Sequence, residues 1–100
     1  MTVLWSDNAI EQLESIFEYY NYKSGIVVAK KITKNIVKRT LQLERNPKSG
    51  QREKLLVNRK NEYRYIVEGN YKIIYWVDID FVKIASVFDC RQNPIKIIKA

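Results

Sequence analysis

The stretch that decides the fold is EYRYIVEGNYKIIYWV, residues 62–77, with a third apolar run over residues 81–88 just behind it. β-Branched and aromatic residues dominate both segments, which is typical of strands in a half-buried sheet. Gly69 and Asn70 interrupt the first segment, and such a pair closes a two-residue hairpin because glycine takes a positive φ at little steric cost. The pattern predicts a three-stranded antiparallel meander.

The hairpin also predicts which residues face each other. With Glu68 opposite Tyr71, Arg64 falls opposite Tyr75, and an arginine is set among aromatic residues in mid-sheet. One face of the sheet must pack beneath other elements, so we expect most of the strand aromatics in the core. The two predicted faces are Arg64, Ile66, Tyr71, Ile73 and Tyr75 on one side, and Tyr63, Tyr65, Val67, Ile74 and Trp76 on the other.

The first half of the chain has helical periodicity. A short apolar start, residues 2–5, precedes Ser6 or Asp7 as N-cap, and a break at residues 22–25 separates two amphipathic helices. The break is short, so the helices should form an antiparallel hairpin over one sheet face. The sequence predicts an α+β fold: an N-terminal short strand and a two-helix antiparallel hairpin packed on an antiparallel β-sheet. The predicted stripe of the second helix is Ala29, Ile32, Ile36, Thr40 and Leu43.

Length and composition limit the possible functions. We expect one domain, residues 1–100, without a membrane span and located in the cytoplasm. The chain has no histidine, which removes the commonest general acid–base and cysteine-histidine zinc sites, and its three glycines do not form a phosphate loop. Asp78 and Asp80 are interpreted as turn formers, and Cys90 as structural or incidental. No metal or cofactor is predicted.

The formal charge of +7 is unevenly distributed. Residues 7–22 contain acids and no base, whereas residues 23–64 are rich in lysine and arginine. Such a field suits nucleic acid or an acidic protein segment, although a solvated helix face plus a charged loop would give the same pattern. The segment after the second helix is predicted to be a basic loop, pinned by Leu55, Leu56 and Val57. Candidate binding residues are Arg52, Arg59, Lys60, Tyr71 and Tyr75.

Two arginines are candidates for chemistry. Arg64 lies inside a strand and Arg91 just beyond the last strand, and an arginine bordered by tyrosines can hold a phosphate or carboxylate in bidentate geometry. The alternative is that Arg64 pairs with Glu62 or Glu68 along its own strand, or snorkels over the sheet with its charged end in water. Whether Arg91 shares the face of Arg64 depends on the second turn, and the sequence leaves that open.

In this order and spacing the chain resembles the RelE/ParE superfamily of toxins from bacterial type II toxin-antitoxin (plasmid-stabilisation) modules. The resemblance implies a growth-arresting toxin and a cognate antitoxin that neutralises it. We expect the antitoxin to dock on the basic second helix or on an apolar sheet edge; the oligomeric state is not predicted. The residues that carry the resemblance are Trp5, Ala9, Leu13, Ile16 and Tyr20, then Leu43, Pro47 and Gly50, then residues 63–67, 71–75 and 87–91.

The resemblance implies two targets. ParE-like members inhibit DNA gyrase, and RelE-like members cleave mRNA in the ribosomal A site; in the second case Arg64, Arg91 and Lys54 would be the catalytic residues. RelE-like members commonly place a tyrosine or histidine after the residue matched by Arg91, whereas this chain has Gln-Asn-Pro at residues 92–94. The first hypothesis is therefore a gyrase inhibitor, the second an mRNA endonuclease, and the third a basic nucleic-acid-binding module.

Overall fold

The structure, a computed structural model, describes residues 1–92. Two helices separate an N-terminal strand from the rest of a five-stranded sheet, whose order is β1-β5-β4-β3-β2. Single 3₁₀ turns, Gln42–Glu44 and Lys54–Leu56, follow the second helix and the second strand. Along the chain the elements are β1 (Thr2–Trp5), α1 (Asp7–Ser24), α2 (Ile26–Leu41), β2 (Gln51–Arg52), β3 (Arg64–Glu68), β4 (Tyr71–Asp78) and β5 (Phe81–Asp89).

The predicted meander and its register are confirmed. Glu68 pairs with Tyr71 and Arg64 with Tyr75, across a turn in which Gly69 has a φ of 58°. The prediction of an antiparallel sheet is wrong at one edge, where β1 pairs with β5 in the parallel direction. Two parallel neighbours need a long crossover between them, and α1 and α2 lie within that connection. The fold is α+β as predicted, and the sheet is mixed.

Local signals set the helices where they were predicted. The Ser6 side chain accepts a hydrogen bond from the Ala9 backbone N–H at 3.0 Å and caps α1. Gly25, with a φ of 93°, separates α1 from α2, and this positive φ is readily adopted by glycine. The predicted stripe of α2 is buried at Ala29, Ile36 and Thr40 and continues to Leu43 in the following turn.

The helices cover the sheet face that carries Arg64. Ile66, Ile73 and Tyr75 join Ile36 and Leu43 in the main core. The opposite face carries a smaller cluster, in which Leu56 packs on Ile74 and Phe88. The loop that follows β2 therefore lies across the far side of the sheet from the helices.

A bulge in β5 decides how α1 meets the sheet. Ile74 pairs with Ser86 but Tyr75 pairs with Ile84, so Ala85 is an extra residue. Beyond this point β1 has ended, and side chains of α1 take over the open edge of β5. The Asn8 side-chain amide donates to the Ala85 carbonyl at 3.2 Å, and the Gln12 amide oxygen accepts from the Val87 backbone N–H at 2.7 Å. Polar side chains of α1 thus satisfy a part of this edge that no strand within residues 1–92 covers.

Candidate functional site

Arg64 is engaged with its own protein. Its guanidinium donates to the Gly50 carbonyl at 2.9 Å and to the Lys48 carbonyl at 3.4 Å, and it pairs with the Glu62 carboxylate at 2.8 Å. The side chain is 20% exposed. The alternative interpretation, in which Arg64 pairs with Glu62 along its own strand, is confirmed. The guanidinium ties the chain entering β2 to β3, the first strand of the predicted meander.

Tyr75 belongs to the same junction. It is fully buried, and its hydroxyl oxygen accepts a hydrogen bond from the Gly50 backbone N–H at 2.9 Å. Burial raises the pKa of the Tyr75 phenol, so the group remains neutral beyond its usual range. A methyl group at position 50 would lie 2.5 Å from the Tyr75 hydroxyl and 2.6 Å from the Tyr65 carbonyl. Tyr75, a candidate binding residue, therefore packs beneath the helices, as was expected for most of the strand aromatics.

Arg91 lies at the other end of the sheet. Its guanidinium donates to both carboxylate oxygens of Asp89, at 3.0 and 2.8 Å, and its side chain is 58% exposed. The paired guanidinium lowers the pKa of the Asp89 carboxyl. Tyr20 of α1 lies within hydrogen-bonding reach of Arg91 and of the Tyr71 phenol. Arg91 therefore packs toward the helix-covered side, which answers the question that the sequence left open.

An open groove of about 720 Å³ runs between α1 and the end of β5. Tyr71 and Arg91 line it together with Ile16 and Tyr19. Tyr71 was predicted as a candidate binding residue, but only 7% of its surface is exposed. Burial raises the pKa of its phenol most strongly, followed by its hydrogen bond with Tyr20. Tyr71 therefore contributes mainly to the core, with an edge at the groove.

The remaining predicted site residues lie in or beside the basic loop. Arg52, Lys54, Arg59 and Lys60 are all exposed. Of the three apolar residues predicted to anchor the loop, Leu56 is 8% exposed, whereas Leu55 and Val57 are 41% and 60% exposed. The anchor is thus a single side chain. Lys54, at the start of the 3₁₀ turn that contains Leu56, projects from the loop on the far side of the sheet.

Glu53 and Lys72 form a second anchor that the sequence did not indicate. The Glu53 side chain is 3% exposed and accepts from the Lys72 ammonium at 3.0 Å. Its other carboxylate oxygen accepts from the Leu55 backbone N–H, and Lys72 lies 4.1 Å from the centre of the Tyr65 ring. One sequence feature could have indicated this pair: Lys72 is a charged residue among apolar residues of β4. Its side chain points to the sheet face on which the loop packs.

The structure does not bring the three candidate catalytic residues together. Arg64 is opposite Tyr75, whereas Asp89, the partner of Arg91, is opposite Tyr71. Tyr75 is four residue steps along the strand from Tyr71, which corresponds to about 13 Å. Lys54 belongs to the loop on the other face of the sheet. These groups do not share one pocket.

The outer side of the helical hairpin carries an apolar groove of about 590 Å³. Leu13, Val37 and Leu41 form its floor, and Val37 and Leu41 are 36% and 50% exposed. Three lysines of α2 border it: Lys30, Lys34 and Lys38. The groove therefore combines exposed apolar surface with a row of cations.

Residues 1–92 contain no group of three or more acidic, cysteine or histidine side chains placed to hold a metal ion. Asp78 ends β4 and Asp80 lies in the two-residue turn before β5, in agreement with their interpretation as turn formers. Cys90 is exposed and is not in a disulfide. Over the same residues, none of the helices combines the length and hydropathy of a membrane span.

The family comparison matches most of the chain. A family described as the ParE toxin of the type II toxin-antitoxin system parDE matches residues 3–94. The chain belongs to the ParE toxin family. A toxin of such a system has a cognate antitoxin as its partner. No curated protein sequence matches the chain.

Solved structures agree with the ParE family fold. A chromosomal ParDE toxin-antitoxin system from P. aeruginosa superposes with a TM-score of 0.73 and 18% identity, covering 89% of this chain and 95% of the other. A YoeB dimer from Staphylococcus aureus gives a TM-score of 0.55 and 26% identity, covering 86% and 92%. The first likeness concerns the fold alone, and both agree with the α+β architecture of this ParE-family toxin.

Proposed function

We propose that this ParE-family toxin arrests growth by binding DNA gyrase in the cytoplasm, without cleaving nucleic acid, and that its cognate antitoxin holds it inactive. The observation that carries the proposal is the separation of Arg64, Arg91 and Lys54. Cleavage of mRNA by this chain would need such groups around one scissile phosphate, because charge stabilisation and proton transfer both require contact with the reacting atoms.

The contacts of each arginine support the same conclusion. Arg64 is mostly buried and donates to the Gly50 carbonyl, so binding a phosphate would break contacts that hold β2 in place. Arg91 is more exposed, but both oxygens of Asp89 occupy its guanidinium. The chain has no histidine to move a proton near neutral pH. Inhibition of gyrase by binding alone does not require Arg64 or Arg91 to leave its contacts within the toxin.

The helical groove fits the antitoxin. An amphipathic helix can lay its apolar side into a hydrophobic groove, and acidic residues on that helix would meet Lys30, Lys34 and Lys38. Charge complementarity of this kind increases the association rate and favours the correct partner. The second helix is thus the proposed antitoxin surface, and the gyrase surface lies elsewhere on the toxin.

Expression of the toxin in a bacterium tests the target. We expect growth arrest, loss of negative supercoiling in a reporter plasmid, and intact messages, all reversed by co-expression of the antitoxin. Cuts at fixed codon positions with normal plasmid supercoiling would contradict the proposal and favour the mRNA endonuclease. Arg91→Ala should preserve the toxicity of a gyrase inhibitor that does not use this guanidinium.

The docking surface is tested by reversing the lysine row. The triple substitution K30E/K34E/K38E should weaken neutralisation by the antitoxin at least tenfold, measured as the antitoxin concentration that restores growth. Toxicity without antitoxin should be unchanged. A matched control, K54E/R59E/K60E, changes the same charge in the loop and should leave neutralisation intact; equal loss in both variants would contradict the surface.

A further inference from the structure

The loop after β2 is a closed structural unit. The Glu53 backbone N–H donates to the Tyr63 carbonyl at 2.8 Å, so the two ends of residues 53–63 meet. Leu56 fixes the middle of the loop on the sheet, and the Arg59 N–H donates to the Leu56 carbonyl at 3.1 Å. Compact loops with adjoining ends are Ω-loops, which are frequently functional.

This Ω-loop encloses a pocket of about 210 Å³. Its walls are mostly polar and include three cationic side chains together with an amide and the edge of a phenol ring. These are Arg52, Arg59, Lys60, Asn61 and Tyr63.

Two acids, Glu53 and Glu62, also line the pocket, and both have cationic partners. Glu53 is buried against Lys72, and Glu62 lies 2.8 Å from Arg64 and 3.4 Å from Arg52. Lys72 and Arg64 belong to the sheet and not to the loop, and they offset the charges of the two loop carboxylates. Arg52 at the start of the loop, together with Lys54, Arg59 and Lys60 within it, outnumbers these two carboxylates, so this surface carries a net positive charge.

We propose that the Ω-loop is a nucleic-acid site that binds the phosphate backbone through Arg52, Arg59 and Lys60. Arginine forks and lysine ammonium groups are the usual partners of phosphate, and a protein of net charge +7 accumulates on a polyanion. Tyr63, partly exposed at the rim, offers an aromatic surface against which a base can stack. Binding here is independent of whether gyrase is the target.

Nucleic acid is favoured over an acidic protein by the chemistry of the walls. A protein segment needs apolar surface as well as charge to bind, and the groove on α2 provides both. The loop pocket is small and polar, which suits a phosphate and its water better than side chains of a protein. The two basic surfaces of this toxin therefore have different ligands.

The test is fluorescence anisotropy of the purified toxin with labelled random-sequence duplex DNA and single-stranded RNA, between 50 and 200 mM KCl. R59Q/K60Q removes two loop charges and K31Q/K34Q removes the same charge from α2. We expect the loop variant to bind at least tenfold more weakly and its log–log salt slope to fall by about two, one for each lost phosphate contact. The α2 variant should change affinity less than twofold.

The charge-conserving variant R59K/K60R separates charge from folding and should retain the wild-type salt slope. Circular dichroism must show the same helix content for all variants. Binding of either polymer through the loop supports the proposal, and the polymer that binds more tightly shows whether DNA or RNA supplies the phosphate backbone. Equal losses in the loop and α2 variants would mean diffuse attraction and would overturn it. Binding of polyglutamate without binding of DNA or RNA at 50 mM KCl would also overturn it, in favour of an acidic protein.

Discussion

Arg64→Met tests whether Arg64 holds the fold or carries out chemistry. Methionine retains much of the apolar stem but removes the donors that reach the Gly50 carbonyl at 2.9 Å and the Glu62 carboxylate at 2.8 Å. Hydrogen bonds that involve a charged group contribute about 1.5–3 kcal/mol each, and a half-exposed ion pair contributes less than about 1 kcal/mol. Together they predict a loss of about 2–4 kcal/mol in the free energy of unfolding.

Urea denaturation followed by circular dichroism measures this loss. With a slope of about 1–3 kcal/mol per M for a small protein, the midpoint should fall by at least about 0.7 M. Arg52→Met is the matched control, since Arg52 pairs with the same Glu62 at 3.4 Å but is 66% exposed. It should cost less than about 1 kcal/mol.

The reasoning would be refuted if Arg64→Met unfolded at the wild-type urea concentration. Loss of toxicity with unchanged stability would further show that the guanidinium acts on a target or substrate. The structural role of Arg64 predicts the opposite relation, in which toxicity falls only as far as the folded fraction does.

Three further predictions concern the core and the loop. Gly50→Ala should destabilise the toxin by at least about 2 kcal/mol in the same urea assay, because the new methyl group collides with the Tyr75 hydroxyl; unchanged stability would contradict the buried contact. Lys72→Met should cost about 3–5 kcal/mol by leaving the Glu53 carboxylate buried without its cation, and a loss below about 1 kcal/mol would contradict the pair. Burial raises the pKa of Tyr71 and Tyr75 in the folded protein. Their contribution to the free energy of unfolding is therefore complete below about pH 10 and is lost as the pH rises through their folded-state pKa values. Tyrosinate absorbance of the folded protein should show that Tyr71 and Tyr75 ionise above the usual range of a tyrosine, and ionisation of both near about pH 10 would refute this.

Elements with strong local signals could be predicted from the sequence. Gly69 fixed the hairpin turn, and the pairing of Arg64 with Tyr75 followed by counting along the strands. The stripe from Ala29 to Leu43 set the buried side of α2 in the same way. The extra residue Ala85 could not be predicted, because a bulge is decided by pairing between distant segments.

The candidate site was less predictable because it depends on what covers each face. The pattern gave the residues that share a side with Arg64, but not that the helices would bury that side together with Tyr75. It likewise did not indicate that Glu53 would fold back over the sheet to meet Lys72. Both contacts join segments through tertiary packing, which local periodicity does not encode.

The most direct test of the proposed mechanism is ATP-dependent supercoiling by purified DNA gyrase, titrated with the purified toxin. The account predicts inhibition by the wild-type chain and by Arg91→Ala alike, and full recovery when the cognate antitoxin is added. Uninhibited supercoiling at a large molar excess of folded toxin, together with cleavage of mRNA on translating ribosomes, would contradict it.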